Sequence, residues 1–334
     1  MKDVKGTPLN LGIDLGGTKI AAVVLDEGGG VGWETRIATP RDDYAGTLDA
    51  IASLVAAGEA AVGQRCSVGI GIPGAISPAT GLVRNANSTW LIGHPLHQDL
   101  ERRLGRPIRL ANDANCLAVS EAVDGAAAGA GVVFGVILGT GVGGGLVVGG
   151  QVVTGVNAIA GEWGHNPLPW PDDDERPGPA CYCGKHGCIE TFLSGPGMAA
   201  DHHRRAGVPA RAEEVVARAR DGDAAAAATL ASWERRLAKS LASVINVVDP
   251  DVIVVGGGLS RIARLYDGVQ ARWGDWVFSD RVDTRIVPAR YGDASGVRGA
   301  AWLWQAAGRP RRKLRPRSPT RRRRAGGRAT LEGT

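Results

Sequence analysis

Two stretches of this chain repeat one order of elements. Residues 9–14, a turn at Gly16 and Gly17, residues 18–25, a turn over 27–30 and residues 31–38 read as three short apolar strands in succession. Residues 132–138, a glycine-rich turn over 139–145, residues 146–148, a turn at Gly149 and Gly150 and residues 151–154 repeat that order, with Gly141 standing 125 residues after Gly16. Two copies of a strand–glycine turn–strand–turn–strand opening imply two related halves, each offering one glycine turn to a shared cleft. At 334 residues the chain also exceeds what a single core usually supports, which again favours two lobes.

Between and after the copies, the pattern alternates. Residues 47–61 have helical composition, 67–72 and 108–111 read as strands, and a helix starts near Asp113. Residues 211–220 and 223–247 read as helices, 251–255 as a buried strand and 259–273 as a helix. Strands alternating with helices define an α/β protein. With 44% hydrophobic and 22% charged residues, the chain has the means to bury a core.

Charge is unevenly placed. Eleven Arg and Lys residues fall between Arg309 and Arg328, so the formal net charge of +5 conceals an acidic body of about −5 and a basic tail. An acidic body excludes a nucleic-acid footprint on the folded part. The tail, 308–334, has no apolar periodicity and is expected to be disordered, a solvated segment rather than a nucleic-acid tether. The N-terminus lacks an apolar signal segment, so a cytoplasmic location is expected. Residues 125–161 carry no charged side chain, yet their apolar runs are short and broken by glycines, which fits buried strands and not a membrane span.

Four motifs carry candidate chemistry. Asp14-Leu15-Gly16-Gly17-Thr18-Lys19 places two glycines where backbone can wrap phosphate oxygens, with Lys19 adding charge and Asp14 suited to hold Mg²⁺ beside a nucleotide. Gly139-Thr140-Gly141-Val142-Gly143-Gly144 matches the dinucleotide spacing formally, but the glycines run into a strand instead of a helix, so the motif reads as a second phosphate loop and not an NAD site. Asn112-Asp113 joins a strand to a helix, where Asp113 is at or beside the N-cap and is the candidate base that takes a hydroxyl proton during phosphoryl transfer. Cys181, Cys183 and Cys188 with His165 upstream supply the Cys₃His ligands of a closed, structural Zn²⁺ site, His186 being the second choice for the nitrogen ligand. A further glycine turn, Gly256-Gly257-Gly258, either approaches a nucleotide or packs a helix on its strand.

Together these motifs resemble the ROK family of sugar kinases, over about residues 9–304. Asp14 to Lys19 and Gly139 to Gly145 match its phosphate motifs. Asn112-Asp113 matches its catalytic pair, Glu162-Trp163-Gly164-His165 its E-x-G-H motif, and Cys181 to Glu190 its cysteine signature. The resemblance implies a duplicated actin/hexokinase-like (ribonuclease H-like) fold with a central cleft. It divides the chain into a small lobe, 1–113, completed by a C-terminal helix near 294–306, and a large lobe, 114–293, with the zinc loop.

The same resemblance implies that Asn87, Asn112, Asp113, Glu162, His165 and Glu190 hold a hexose, and that ATP with Mg²⁺ lies between the loops at Gly16 and Thr140. Segments such as Asn85-Ala86-Asn87-Ser88-Thr89-Trp90 are similar to the fructokinase/mannokinase branch, so fructose is the expected acceptor, phosphorylated at its 6-hydroxyl. Mannose and glucose are expected as secondary substrates. An N-acetylhexosamine kinase or a glucokinase of the same family is the alternative. A sugar-responsive transcriptional regulator is disfavoured, because only ten residues precede Leu11 and leave no room for a helix-turn-helix. A homodimer is the usual assembly of similar kinases. Two features depart from the family pattern, a short segment at 171–179 rich in Pro and Asp, and the basic tail.

Overall fold

The computed structural model describes residues 9–304. The basic tail expected at 308–334 lies outside the described residues. Twelve strands are present among the described residues: β1 (Asn10–Leu15), β2 (Lys19–Leu25), β3 (Val31–Ala38), β4 (Ser67–Ile72), β5 (Ala75–Ile76), β6 (Val83–Arg84), β7 (Arg109–Asn112), β8 (Val132–Leu138), β9 (Val142–Val148), β10 (Gln151–Val152), β11 (Val252–Gly256) and β12 (Arg285–Pro288). The helices are α1 (Tyr44–Val62), α2 (Leu96–Leu104), α3 (Asp113–Val123), α4 (Ile189–Leu193), α5 (Gly195–Ala206), α6 (Ala212–Arg220), α7 (Ala224–Val248), α8 (Arg264–Gln270) and α9 (Ser295–Trp302).

Ten of the strands form two sheets of matching topology. The first runs β3-β2-β1-β4-β7 and the second β10-β9-β8-β11-β12. In both, the first three strands pair antiparallel as a meander and the later strands pair parallel to the first. The duplication read from the glycine turns is thus a duplication of whole sheets.

Each sheet separates two cores because a strand's side chains alternate faces. Ile20, Ala22 and Val24 of β2 join Ile51, Leu54 and Leu100 of α1 and α2 in an outer core, while Ala21, Val23 and Leu25 face the opposite way, toward α3 and α9. In the second sheet Val252 and Val254 of β11 share that middle core, and Ile253 and Val255 face an outer core built on α7. The order of layers is therefore helices, sheet, α3 with α9, sheet, helices.

Close approach in the middle layer depends on missing side chains. A Cβ on Gly299 of α9 would fall 1.7 Å from the Cys116 carbonyl oxygen of α3, and one on Gly69 of β4 would fall 2.0 Å from the Ala300 carbonyl oxygen. Glycine is the residue that permits backbones to meet at such range. Helix α1 is long and apolar enough to cross a membrane, but it buries Ile51, Leu54 and Val55 against the first sheet as an ordinary packing helix. The uncharged stretch 125–161 forms β8, β9 and β10, as its glycine breaks require.

One expected element is broken. Instead of a continuous helix over 259–273, a short 3₁₀ turn (Gly258–Arg261), α8 and a second 3₁₀ turn (Trp273–Asp275) follow one another. Leu259, Ile262, Leu265, Val269 and Trp273 are all buried at helical spacing. The periodicity reports the buried face and not the continuity of the hydrogen-bond ladder.

Candidate active site

Asp113 is the first residue of α3, the helix wedged between the two sheets, and Asn112 caps that helix by accepting from the Asn115 N–H at 2.8 Å. The Ala114 N–H donates to Asp113 Oδ1 at 2.8 Å. The side chain is exposed, yet protein surrounds it closely enough to strip much of its hydration, and that burial raises its carboxyl above the ordinary range against the pull of the backbone donors.

Asp14, near the end of β1, is pushed up to about 6, first by burial and then by the negative charge of Asp113, while Lys19 and Arg36 pull the other way. Glu162 is raised chiefly by burial, with Asp113 and Glu190 adding to the rise and His165 and Arg84 opposing it. Asp113 is therefore the point where the first glycine loop and the E-x-G-H segment share one electrostatic field.

The first loop is fixed by its own turn, in which the Gly16 N–H donates to the Lys19 carbonyl at 3.0 Å and the Thr39 hydroxyl donates to the Gly16 carbonyl at 2.7 Å. Gly17, Thr18 and Lys19 are exposed. Ser88 lies against Gly17, which brings the Asn87 segment beside the first loop. In the second loop the Gly139 N–H donates to the Gly141 carbonyl at 3.0 Å, and Thr140 is exposed at the tip. Gly143 lies inside β9, facing Ala114 of α3. Glu190 Oε2 accepts from the Val142 N–H at 2.8 Å and occupies the space a Gly141 Cβ would need, 2.7 Å away.

Gly256 and Gly257 are accounted for by packing. A Cβ on Gly257 would fall 2.3 Å from the Leu138 carbonyl, and one on Gly256 would meet Leu117. Their turn is thereby held against the strand end that opens into Gly139. Asn112 also lines a cavity of about 460 Å³ with Ile72, Asn115, Gln151 and Thr154, whose walls include neither Asp113 nor Glu162 nor Glu190.

The cysteine segment folds back on the E-x-G-H segment. The Glu190 N–H donates to the Gly164 carbonyl and the Ile189 N–H to the Asn166 carbonyl, both at 2.9 Å. A ring nitrogen of His165 and the three Sγ atoms of Cys181, Cys183 and Cys188 all lie within 4.8 Å of one another, with Cys181 Sγ to His165 Nδ1 at 3.5 Å and Cys183 Sγ to Cys188 Sγ at 3.6 Å. Thiolates at about 2.3 Å from one tetrahedral ion stand about 3.8 Å apart, so the donor set fits a four-coordinate, thiolate-preferring cation. The His186 backbone bridges to Ala180 across the tight turn, and the clustered donor set has His165 and not His186 as its nitrogen ligand.

The departing segment near 171–179 is anchored by buried charge: Arg236 bridges Glu175 at 2.6 Å and Asp201 at 2.8 Å, and Lys239 donates to the Trp170 carbonyl at 2.7 Å.

Three side chains at the site were not singled out by the motifs. Arg84 donates through Nη2 to the Asn157 carbonyl at 3.0 Å, bridging the β5–β6 hairpin to the segment ahead of Glu162. Trp163 Nε1 donates to the Gly143 carbonyl at 3.0 Å and steadies β9. Tyr182, between two of the cysteines, bonds His165 through its hydroxyl at 2.9 Å. The E-x-G-H motif around Trp163 and the Cys-x-Cys spacing around Tyr182 marked those two positions but not their contacts.

A family model described as "ROK family" matches residues 10–307. An N-acetyl-D-glucosamine kinase of Shigella flexneri is 44% identical over 296 residues, covering 87% of this chain and 98% of the relative. Among solved structures, a ROK hexokinase from Thermus thermophilus is similar with a TM-score of 0.78 at 31% identity, covering 88% of this chain and 97% of that one. A ROK family glucokinase from Streptomyces griseus, solved with glucose and AMPPNP, has a TM-score of 0.71 at 30% identity and covers 88% and 98% of the two chains. These structural neighbours are hexokinases and glucokinases on the same duplicated fold, and this chain belongs to the ROK family as a sugar kinase.

Proposed function

We propose that this kinase transfers the γ-phosphoryl group of ATP to the 6-hydroxyl of a hexose, with Asp113 as the general base. The observation that carries this reading is the position of Asp113, at the first turn of α3 between the two sheets, in one field with Asp14 and Glu162. A carboxylate with a raised pKa is a better proton acceptor than an ordinary one, provided it is ionised at working pH. The acceptor's hydroxyl loses its proton to Asp113 as it attacks the phosphorus, and closure of the cleft excludes water as a competing acceptor.

In this reading Asn87, Asn112, Glu162, His165 and Glu190 hold the sugar, and the loops at Gly16 to Lys19 and Gly139 to Gly141 hold the phosphates. The Gly256–Gly257 turn flanks the second loop. Asp14 is suited to hold Mg²⁺, which would neutralise phosphate charge, because a carboxylate raised by the charge of its neighbour Asp113 is relieved by a cation. The Cys₃His cluster holds Zn²⁺ as a structural ion that fixes the segment bearing Glu162 and Glu190. The small lobe is 1–113 with α9, and the large lobe 114–293. A cytoplasmic homodimer is the assembly proposed, to be checked by light scattering.

For the acceptor, the relatives named N-acetyl-D-glucosamine kinase favour an N-acetylhexosamine over the fructose expected from sequence segments, with glucose the next choice given the S. griseus glucokinase. Fructose is kept as a second reading on the Asn85-to-Trp90 segment alone. One assay of ADP release across N-acetylglucosamine, N-acetylmannosamine, glucose, mannose and fructose ranks them by kcat/KM. Turnover with N-acetylglucosamine at least tenfold above the others is expected. No turnover with any hexose would end the kinase reading.

A further inference from the structure

His165 has two ring nitrogens, and the fold commits both. Nδ1 faces the thiols, 3.5 Å from Cys181 Sγ, and Nε2 lies 2.9 Å from the Tyr182 hydroxyl. A ring whose Nδ1 lone pair serves a metal carries its proton on Nε2, so the Nε2–H donates and the phenol oxygen accepts. The rings also meet edge to face, at 5.0 Å between centroids and 88° between planes. Yet Tyr182 is 83% exposed, with no core holding it in place.

Its partner belongs to the segment proposed to hold the sugar, since His165 closes the Glu162-Trp163-Gly164-His165 motif. A hydroxyl oxygen 2.9 Å from Nε2 is what an acceptor hydroxyl would itself present to His165.

We propose that Tyr182 is a specificity-determining residue whose hydroxyl holds, in the free enzyme, the His165 hydrogen bond that a hexose hydroxyl must take over. The inference rests on the sugar-kinase reading and on His165 as an acceptor ligand. Between sugars, the exchange keeps His165 oriented toward both partners. Its consequence is a competition: a sugar whose hydroxyl meets Nε2 gives up part of its binding free energy to displace the phenol, whereas a sugar lacking that hydroxyl leaves the phenol in place.

The test is Tyr182→Phe, read by equilibrium titration of the hexose against intrinsic tryptophan fluorescence and by steady-state kinetics. One net hydrogen bond corresponds to about a two- to tenfold change in affinity. The hexose Kd and KM are expected to fall together by that factor, with kcat and the KM for ATP unchanged. Metal content and melting temperature serve as controls, and Tyr182→Leu, which removes the ring as well, provides a second route if Tyr182→Phe loses metal.

The gain should vanish for one monodeoxy analogue of the preferred hexose, the one lacking the competing hydroxyl. A hexose Kd that rises or stays the same in Tyr182→Phe overturns the proposal, as does an equal gain across all monodeoxy analogues. Wild-type enzyme that turns over no hexose would sink the kinase reading instead, and the two failures are separable because the titration needs no turnover.

Discussion

Replacing Asp14 with Asn should make the nucleotide-free protein more stable while abolishing most of its activity. The folded carboxyl is raised from an ordinary 3.8 to about 6, so its ionised form is disfavoured by the fold, with burial the largest cause and Asp113 the second. At 1.36 kcal/mol for each pH unit this amounts to about 3 kcal/mol, and allowing half for water in the cleft leaves about 1.5 to 3 kcal/mol.

The sign follows from the two protonation equilibria. Above pH 6 both folded and unfolded Asp14 are ionised and the folded state carries the full penalty. Below 3.8 both are protonated and the penalty is absent. Asn has the same shape and no charge, so its advantage is complete at pH 8 and gone near pH 4. For a chain of this size the gain is on the order of 2 to 4 °C in Tm at pH 8, read from thermal unfolding without nucleotide at both pH values. Destabilisation of similar size at both would refute the reasoning, since it would mean that Asn is tolerated poorly for its shape and that charge is irrelevant.

The other predictions concern the base, the metal cluster and the buried ion pairs. Asp113→Asn should lower kcat by about 10² or more with hexose Kd nearly unchanged, and near wild-type turnover in a coupled ADP assay would remove Asp113 as the base. Elemental analysis should find one zinc per chain. The Cys181→Ser/Cys183→Ser variant should lose it together with several degrees of Tm, whereas unchanged metal and stability would eliminate the site. Arg236→Ala should cost about 2 to 4 kcal/mol in denaturant unfolding, because it removes the buried cation shared by Glu175 and Asp201 and leaves them only Lys239 and the more exposed Arg204 and Arg205; a loss below about 1 kcal/mol would show that the cluster adds little.

Much of the fold was legible because its signals are local. The glycine turns and alternating apolar runs of β1 to β3 and β8 to β10 fix both meanders, and the Asp223 side chain that caps α7 precedes an uninterrupted helical run. What escaped was set at long range. Strand β12 exists because Ile286 and Val287 pair with Ile253 and Val254, and nothing within its four residues announces that partner. The hairpin β5–β6 has two residues in each strand, too few for any period to show.

The site divides along the same line. Asp14, Asp113 and the cysteines stand in motifs whose spacing carries their chemistry, and the sequence placed each of them at a strand end, a helix start or a tight loop. Arg84 and Tyr182 act through single contacts, to Asn157 and to His165, that only the assembled cleft brings within range.

Glu190 shows why the halves must act as one. Its backbone N–H is tied to Gly164 beside the metal cluster, while its carboxylate grips the Val142 N–H in the second loop. Any shift of the cysteine loop therefore moves a donor of the loop proposed to hold phosphate, and a substituent on Gly141 displaces that carboxylate directly. The cysteine cluster, the segment proposed to face the sugar and the turn proposed to face the nucleotide are thus linked through one side chain. Loss of the metal should in consequence raise the KM for ATP as well as for the hexose, a pairing that independent sites would not produce.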